Sequence, residues 1–318
     1  MKYIDVFNGD ADGICALHQL RLAAPRDAEL VTGVKRDIAL LKRVHAEAGD
    51  QVTVLDISLD KNRDELNRLL AGGARVRYFD HHFAGEIPQS ADLEAYINTD
   101  ADVCTSLLVN DFLGGAYLPW AVVAAFGDNL FASARAAASP LRLTDMQLSQ
   151  LAHLGTLINY NGYGVELDDL YVAPDQLYRE ISPFADPFVF IADSAVYRQL
   201  DEGYASDMAQ ARELDFAIDE SAIRVVFLPD APWTRRVSGV FGNELARGAP
   251  ARAHALVTLL PGGDYRVSVR APLENKSGAD ALCMQFPSGG GRKAAAGINT
   301  LPADQLDYFI AAFRAAYS

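Results

Sequence analysis

The chain has 318 residues, half of them hydrophobic, enough to bury a substantial core and to form two domains. Its 28 Lys and Arg against 42 Asp and Glu leave a net charge of −14, which opposes sequence-independent adhesion to long DNA or RNA but suits a small anionic substrate held at metal ions. The opening MKYIDVFNGDADG reaches acidic residues too soon for a signal peptide, and no apolar run of about 18 residues occurs, so a soluble cytoplasmic protein without membrane contact is expected.

Apolar runs and helical patterns alternate at first. They predict strands at 3–7, 29–34, 51–55, 75–79 and 95–97, with helices at 13–23, 38–48 and 62–70 between them. That succession predicts an α/β fold whose N-terminal part is a mainly parallel sheet with helices on both faces, a geometry that places ligands outside the carboxyl ends of the strands. Helices follow at 103–112, 119–126 and 144–158, an alanine-rich helix or helix end at 132–138, and a turn-rich NYNGYG at 159–164. Pro174, Pro183 and Pro187 punctuate the next section, and a polar helical stretch near 194–220 connects to a new pattern. This pattern comprises a strand at 223–228, the helix-like SGVFGNELAR, strands at 253–260 and 265–271 joined by PGGD, and a closing helix at 303–316. The expected organisation is a first domain at 1–185, a helical connector at 186–220 and a smaller α/β domain at 221–318, with the active site in the cleft between domains.

Short acidic and histidine motifs follow strand-like or helical apolar runs: Asp10 and Asp12 in FNGDADG, Asp56 in VTVLDIS, Asp80, His81 and His82 in VRYFDHH, and Asp128 in AAFGDN. Carboxylate and imidazole together are the donor set of a hydrolytic dinuclear site for manganese, magnesium or zinc. Two ions about 3.5–4 Å apart share a carboxylate and a water, and lower the pKa of that water. With turns at Gly9 and Gly13, Asp10 and Asp12 face one cavity, and Asp56 is placed to bridge. Neutral imidazole ligates such ions, whereas an unligated imidazolium hydrogen-bonds a phosphate oxygen. An ionised Asp128 in an apolar helix end is costly unless a metal or hydrogen bonds compensate it. Cys15, Cys104 and Cys283 form no CxxC pair and read as buried small residues. His18, His45, His153 and His254 read as surface or packing residues, and Trp120 and Trp233 as packing residues.

These residues resemble the DHH phosphoesterases, a family named for the triplet found here at 80–82. DADG at 10–13, the strand-end Asp56, the triplet and Gly127-Asp128 occur in family order. GGGRKAAAG at 289–297 is similar to the glycine-rich motif of the C-terminal DHH-associated domain, and Arg270 matches the arginine on a preceding strand. The resemblance implies that Asp10 binds one ion, Asp12 the other, Asp56 bridges both, and His81 and Asp128 complete the second site. It implies a catalytic set of His82, Asp80 and Asp56, with His82 on the scissile phosphate and Asp80 orienting the histidines. Arg270, Gly289, Gly290, Gly291, Arg292 and Lys293 would bind substrate, and the cofactor would be two divalent ions, manganese first and magnesium as the alternative.

Two positions depart from the pattern. Val6 stands where many members carry a histidine, which leaves Asn8 as the nearest polar ligand for metal or substrate, and Arg292 stands where the glycine motif carries histidine, with altered geometry and a fixed charge. The length is similar to the nanoRNase and oligoribonuclease-like branch of the RecJ-like superfamily. The expected activity is hydrolysis of diribonucleotides or very short RNA to mononucleotides by a hydroxide bridging the ions, with no long duplex partner; a homodimer is common among proteins of this type, but no surface stripe in the sequence marks one. The alternatives are a phosphatase of 3′-phosphoadenosine 5′-phosphate or a related ester, and a catalytically degenerate nucleotide-binding regulator.

Overall fold

The computed structural model describes residues 1–317. They divide into two compact units, Met1–Glu202 and Gly203 onward. The first begins with β1 (Tyr3–Phe7), α1 (Ala11–Ala23), β2 (Glu29–Val31), β3 (Gln51–Leu55), α2 (Leu59–Ala71), β4 (Arg75–Asp80) and β5 (Leu93–Ile97). The strands lie in the order β2-β1-β3-β4-β5, and every neighbouring pair is parallel. Side chains alternate across a strand. Ile4, Val6, Val52, Val54, Val76 and Tyr78 therefore share one buried face, which packs with Leu59, Leu66 and Leu69 of α2. On the opposite face Asp5 of β1 pairs with Arg21 of α1. The parallel sheet with helices on both faces is thus the architecture that the apolar runs imply.

Helices complete the unit: α3 (Thr105–Phe112), α4 (Leu118–Gly127), α5 (Phe131–Ala138), α6 (Asp145–Asn161), α7 (Pro174–Ile181), α8 (Pro187–Asp193) and α9 (Ala195–Arg212). Pro174 and Pro187 open α7 and α8, where a missing N–H costs nothing. The division between the units falls inside α9.

One expected helix is absent. Of 38–48, only Leu40–Arg43 is helical, as a single tight 3-10 turn. The apolar residues Leu40, Leu41 and Val44 are buried as their spacing implies, but side chains of α2 supply the partners that a helix would have used. Asn62 accepts from the Leu41 amide and donates to the Ile38 carbonyl, while Arg68 donates to the carbonyls of Leu41 and Val44. Tertiary hydrogen bonds here replace local ones.

The second unit continues with β6 (Ile218–Asp219), β7 (Ile223–Leu228), α10 (Pro232–Gly248), β8 (Ala253–Leu259), β9 (Tyr265–Arg270), α11 (Ala279–Cys283), β10 (Gly289–Arg292), β11 (Ala295–Leu301) and α12 (Leu306–Tyr317). Its sheet runs β10-β11-β9-β8-β7-β6, with β7 and β8 parallel and the other pairs antiparallel. Val225, Val257, Val267 and Ile298 pack against Leu282, Phe309 and Phe313 to form its core. Among the described residues no helix is long and apolar enough to cross a membrane.

The interior of the first unit carries a pH-sensitive element. His18 is 1% exposed, donates from Nε2 to the Phe184 carbonyl at 2.8 Å and sets its ring edge-on against Trp120. Burial, opposed by that hydrogen bond, pulls its pKa from 6.5 down to about 4. The unfolded chain therefore binds the extra proton first as pH falls, so the contribution of His18 to stability is complete above pH 6.5 and is lost toward pH 4. Thermal melts across that window are expected to show Tm falling with pH, with a shallower fall in His18→Gln. Equal slopes would assign the acid sensitivity to other groups.

Candidate metal centre

The site is assembled at the carboxyl ends of β1, β3 and β4. The chain leaves β1 through Asn8 and Gly9 and enters α1, whose N-cap is Asp10. Asp10 Oδ1 accepts the amides of Asp12 at 3.0 Å and Gly13 at 3.1 Å, as an N-cap does. Gly13 is thus in the first helical turn, not in a bend, and it is glycine because a Cβ would collide with the Asn8 carbonyl oxygen. Asp12 is 1% exposed, and its two oxygens accept the Thr105 and Ser106 amides, each at 2.7 Å, at the start of α3. A helix N-terminus therefore holds this carboxylate in a fixed direction.

Asp56 ends β3 with φ +59°, in the left-handed region that Asp tolerates better than most residues. Its amide still bonds Phe79 of β4, and Thr105 Oγ1 donates to its Oδ1 at 3.2 Å. His81 donates from Nδ1 to the Val103 carbonyl at 2.8 Å, which directs Nε2 into the acidic group. From Nε2 the nearest oxygens of Asp56, Asp128 and Asp12 lie at 3.5, 3.7 and 3.9 Å. His82 donates from Nδ1 to Asp80 Oδ1 at 2.7 Å, and its side chain is 37% exposed. Burial lowers the His82 pKa, but the hydrogen bond and charge of Asp80 outweigh it and the net direction is upward. Asp128 is the C-cap of α4, fixed by left-handed Asn129 and a Leu130 amide bond to Ala125.

Two donor groups emerge, Asp12 with His81 and Asp128, and Asp56 with His81 and His82. Burial, then the charges of Asp10, Asp12 and Asp128, push the Asp56 carboxyl well above its usual range. A divalent cation removes both penalties, so oxygen and imidazole donors in this arrangement fit manganese, magnesium or zinc.

Lys35 is a site residue that motif reading misses. It lies in the loop after β2, and its Nζ donates to Asp10 Oδ2 at 2.5 Å and Asn159 Oδ1 at 2.8 Å, with Asp128 at 3.5 Å. Burial raises the Asp10 carboxyl, but the charge and hydrogen bond of Lys35 with the Gly13 amide bring it to about 2. The available signal was position, since Lys35 follows a strand at the carboxyl edge of a parallel sheet. Thr105, Ser106 and Asn159 were missed as well; the first two act largely through backbone amides, which leave no mark in sequence. Asn8 donates to the Lys35 carbonyl at 3.2 Å, and its own Oδ1 is buried without a hydrogen-bond partner.

The C-terminal candidates lie in the second unit. Arg270 ends β9 and is held by Asn243 Oδ1 at 2.7 Å, Ser268 Oγ at 3.0 Å and the Gly239 carbonyl at 3.3 Å. Gly289, Gly290 and Gly291 form edge strand β10 rather than a loop, and Arg292 and Lys293 are exposed where β10 turns toward β11. Cys15, Cys104 and Cys283 are free and buried. His153 pairs with Asp201 at 2.7 Å, and Tyr160 is fully buried.

No family model and no curated protein matches the chain. Solved structures do. A manganese-bound RecJ exonuclease superposes with a TM-score of 0.64 at 21% identity, covering 99% of this chain and 90% of that one. The chain shares the fold of RecJ. A second RecJ in complex with Mn2+, from Thermus thermophilus, gives the same score and identity, and this chain spans 52% of its length. The pGpG-specific phosphodiesterase PggH from Vibrio cholerae has a TM-score of 0.54 at 14% identity, covering 98% of this chain and 97% of that one. Resemblance to the DHH phosphoesterases in motif order and likeness to RecJ in fold therefore coincide.

The geometry predicts unequal roles for the adjacent histidines, since His81 Nε2 faces three carboxylates whereas His82 Nδ1 is held by Asp80. Calorimetric titration of Mn2+ into His81→Ala should show affinity weakened by roughly 100-fold, whereas His82→Ala should lose less than about 10-fold. Equal losses would make His82 an ion ligand as well.

Proposed function

We propose that the chain is a divalent-metal-dependent phosphodiesterase that hydrolyses short linear nucleotides to mononucleotides. The observation that carries this reading is the convergence of Asp12, Asp56 and Asp128 on Nε2 of His81, at the carboxyl ends of parallel strands. A bound divalent ion would supply Lewis acidity toward a phosphoryl oxygen and an activated water. Around it, Thr105 and Ser106 fix Asp12, Thr105 Oγ1 steadies Asp56, and Val103 fixes the His81 tautomer. Asp80 holds His82 by Nδ1, so that Nε2 of this part-exposed ring is the atom offered to a phosphoryl oxygen.

The preference for short substrates rests on charge and size. A net charge of −14 works against the extended phosphate contacts that hold long nucleic acid, while a substrate with few phosphates is held by the site itself. PggH, similar in fold along nearly its whole length, acts by its name on a linear dinucleotide, which supports the same substrate class here.

The test compares 5′-phosphorylated diribonucleotides, 3′-phosphoadenosine 5′-phosphate and a longer RNA, with manganese and with a chelator. Chelator-sensitive release of mononucleotides is expected chiefly from the dimers, and Asp56→Ala should abolish it. Faster turnover of the longer RNA at equal concentration would reject the short-substrate reading, and a near-normal rate in Asp56→Ala would reject the metal mechanism.

A further inference from the structure

We propose that the Lys35 ammonium holds the place of a second cation at Asp10, so that the centre takes one divalent ion beside a built-in positive charge. This deepens the metal-dependent reading above and rests on it.

Three of the roughly four lone-pair sites of the Asp10 carboxylate are already occupied. Its Oδ1 is taken by the amides of Asp12 and Gly13, and its Oδ2 by Lys35 Nζ at 2.5 Å. Neither donor group of the centre includes Asp10; both contain His81. Asp128 stands between the two positive positions, with Oδ1 at 3.5 Å from Lys35 Nζ and Oδ2 at 3.7 Å from His81 Nε2. One carboxylate thus spans the ammonium and the ion site, as a bridging carboxylate spans two metals.

Lys35 is also built into the position. Its amide donates to the Gly162 carbonyl at 2.9 Å, its carbonyl accepts from Asn8 Nδ2, and its side chain is 20% exposed. Asn159 adds a neutral acceptor at 2.8 Å, and the Tyr163 ring centroid lies 5.4 Å from Nζ. The backbone contacts place the start of the side chain, and the ammonium itself is held by Asp10, Asn159 and Asp128. Val6 lies in the apolar face packed on α2 and offers no ligand, which leaves Asn8 Oδ1 as the unpartnered oxygen at the end of this strand.

The test counts ions. Mn2+ is titrated calorimetrically into the full chain and into Lys35→Met and Lys35→Ala, and paramagnetic resonance spectra are recorded at saturation. The wild type is expected to bind one ion per chain with an uncoupled six-line spectrum, and both variants two ions with an exchange-coupled spectrum. Retention of the first ion in the variants reports that they fold. Two coupled ions in the wild type would overturn the proposal, as would a single ion in folded variants. Absence of Mn2+ binding by all three proteins would overturn the metal reading itself, and the proposal with it.

Discussion

Carboxylates buried beside one another repel, and that repulsion is the constraint on which the rest of the first unit depends. Asp10, Asp12, Asp56 and Asp80 are each at most 2% exposed, and Asp128 closes the group. In a low-dielectric interior such groups ionise together only if positive charge or oriented donors lie among them. The molecule supplies both in graded fashion. Asp12 receives two amides from the start of α3, Asp10 receives two amides and an ammonium, and Asp80 receives His82. Asp56 receives a single hydroxyl, and its carboxyl is the one driven well upward by burial and by its neighbours. The deficit of positive charge therefore lies beside His81, where the donors of the candidate metal centre meet.

The fold makes this concentration feasible. Parallel strands deliver successive loops to one edge of the sheet, so residues distant in sequence arrive together without a long excursion of the chain. The apolar strands behind them, from Ile4 to Tyr78, are packed against α2 and give the loops a rigid base. Asp56 in a left-handed conformation and Asn129 in another mark the two places where the backbone bends to aim a carboxylate. Such strain persists only where surrounding contacts fix it, here the Phe79 carbonyl on one side and the end of α4 on the other.

Much of this was legible in the residues. Runs such as YIDVF and QVTVL, apolar on alternate or successive positions and followed by acidic turns, state both the strand and the end that carries the ligands. The parts that were not legible share a physical cause, namely partners that come from elsewhere in the chain. The helical pattern at 38–48 does not form because Asn62 and Arg68 satisfy its backbone groups from α2. The glycine run carries no strand signal of its own but becomes a strand by pairing with β11, and it is glycine because a Cβ at Gly289 would collide with the Cys283 carbonyl oxygen and one at Gly291 would meet Ala296. Lys35, within VKRD, has the composition of a solvated charge cluster, and only the sheet order that places β2 beside β1 brings it to Asp10.

The central claim is that a divalent ion sits among Asp12, Asp56, His81 and Asp128. Crystals grown with saturating Mn2+ and measured at the manganese absorption edge test it most directly. The account predicts an anomalous peak enclosed by these four side chains. A map with no peak there, or with its only peak on other residues, would contradict it.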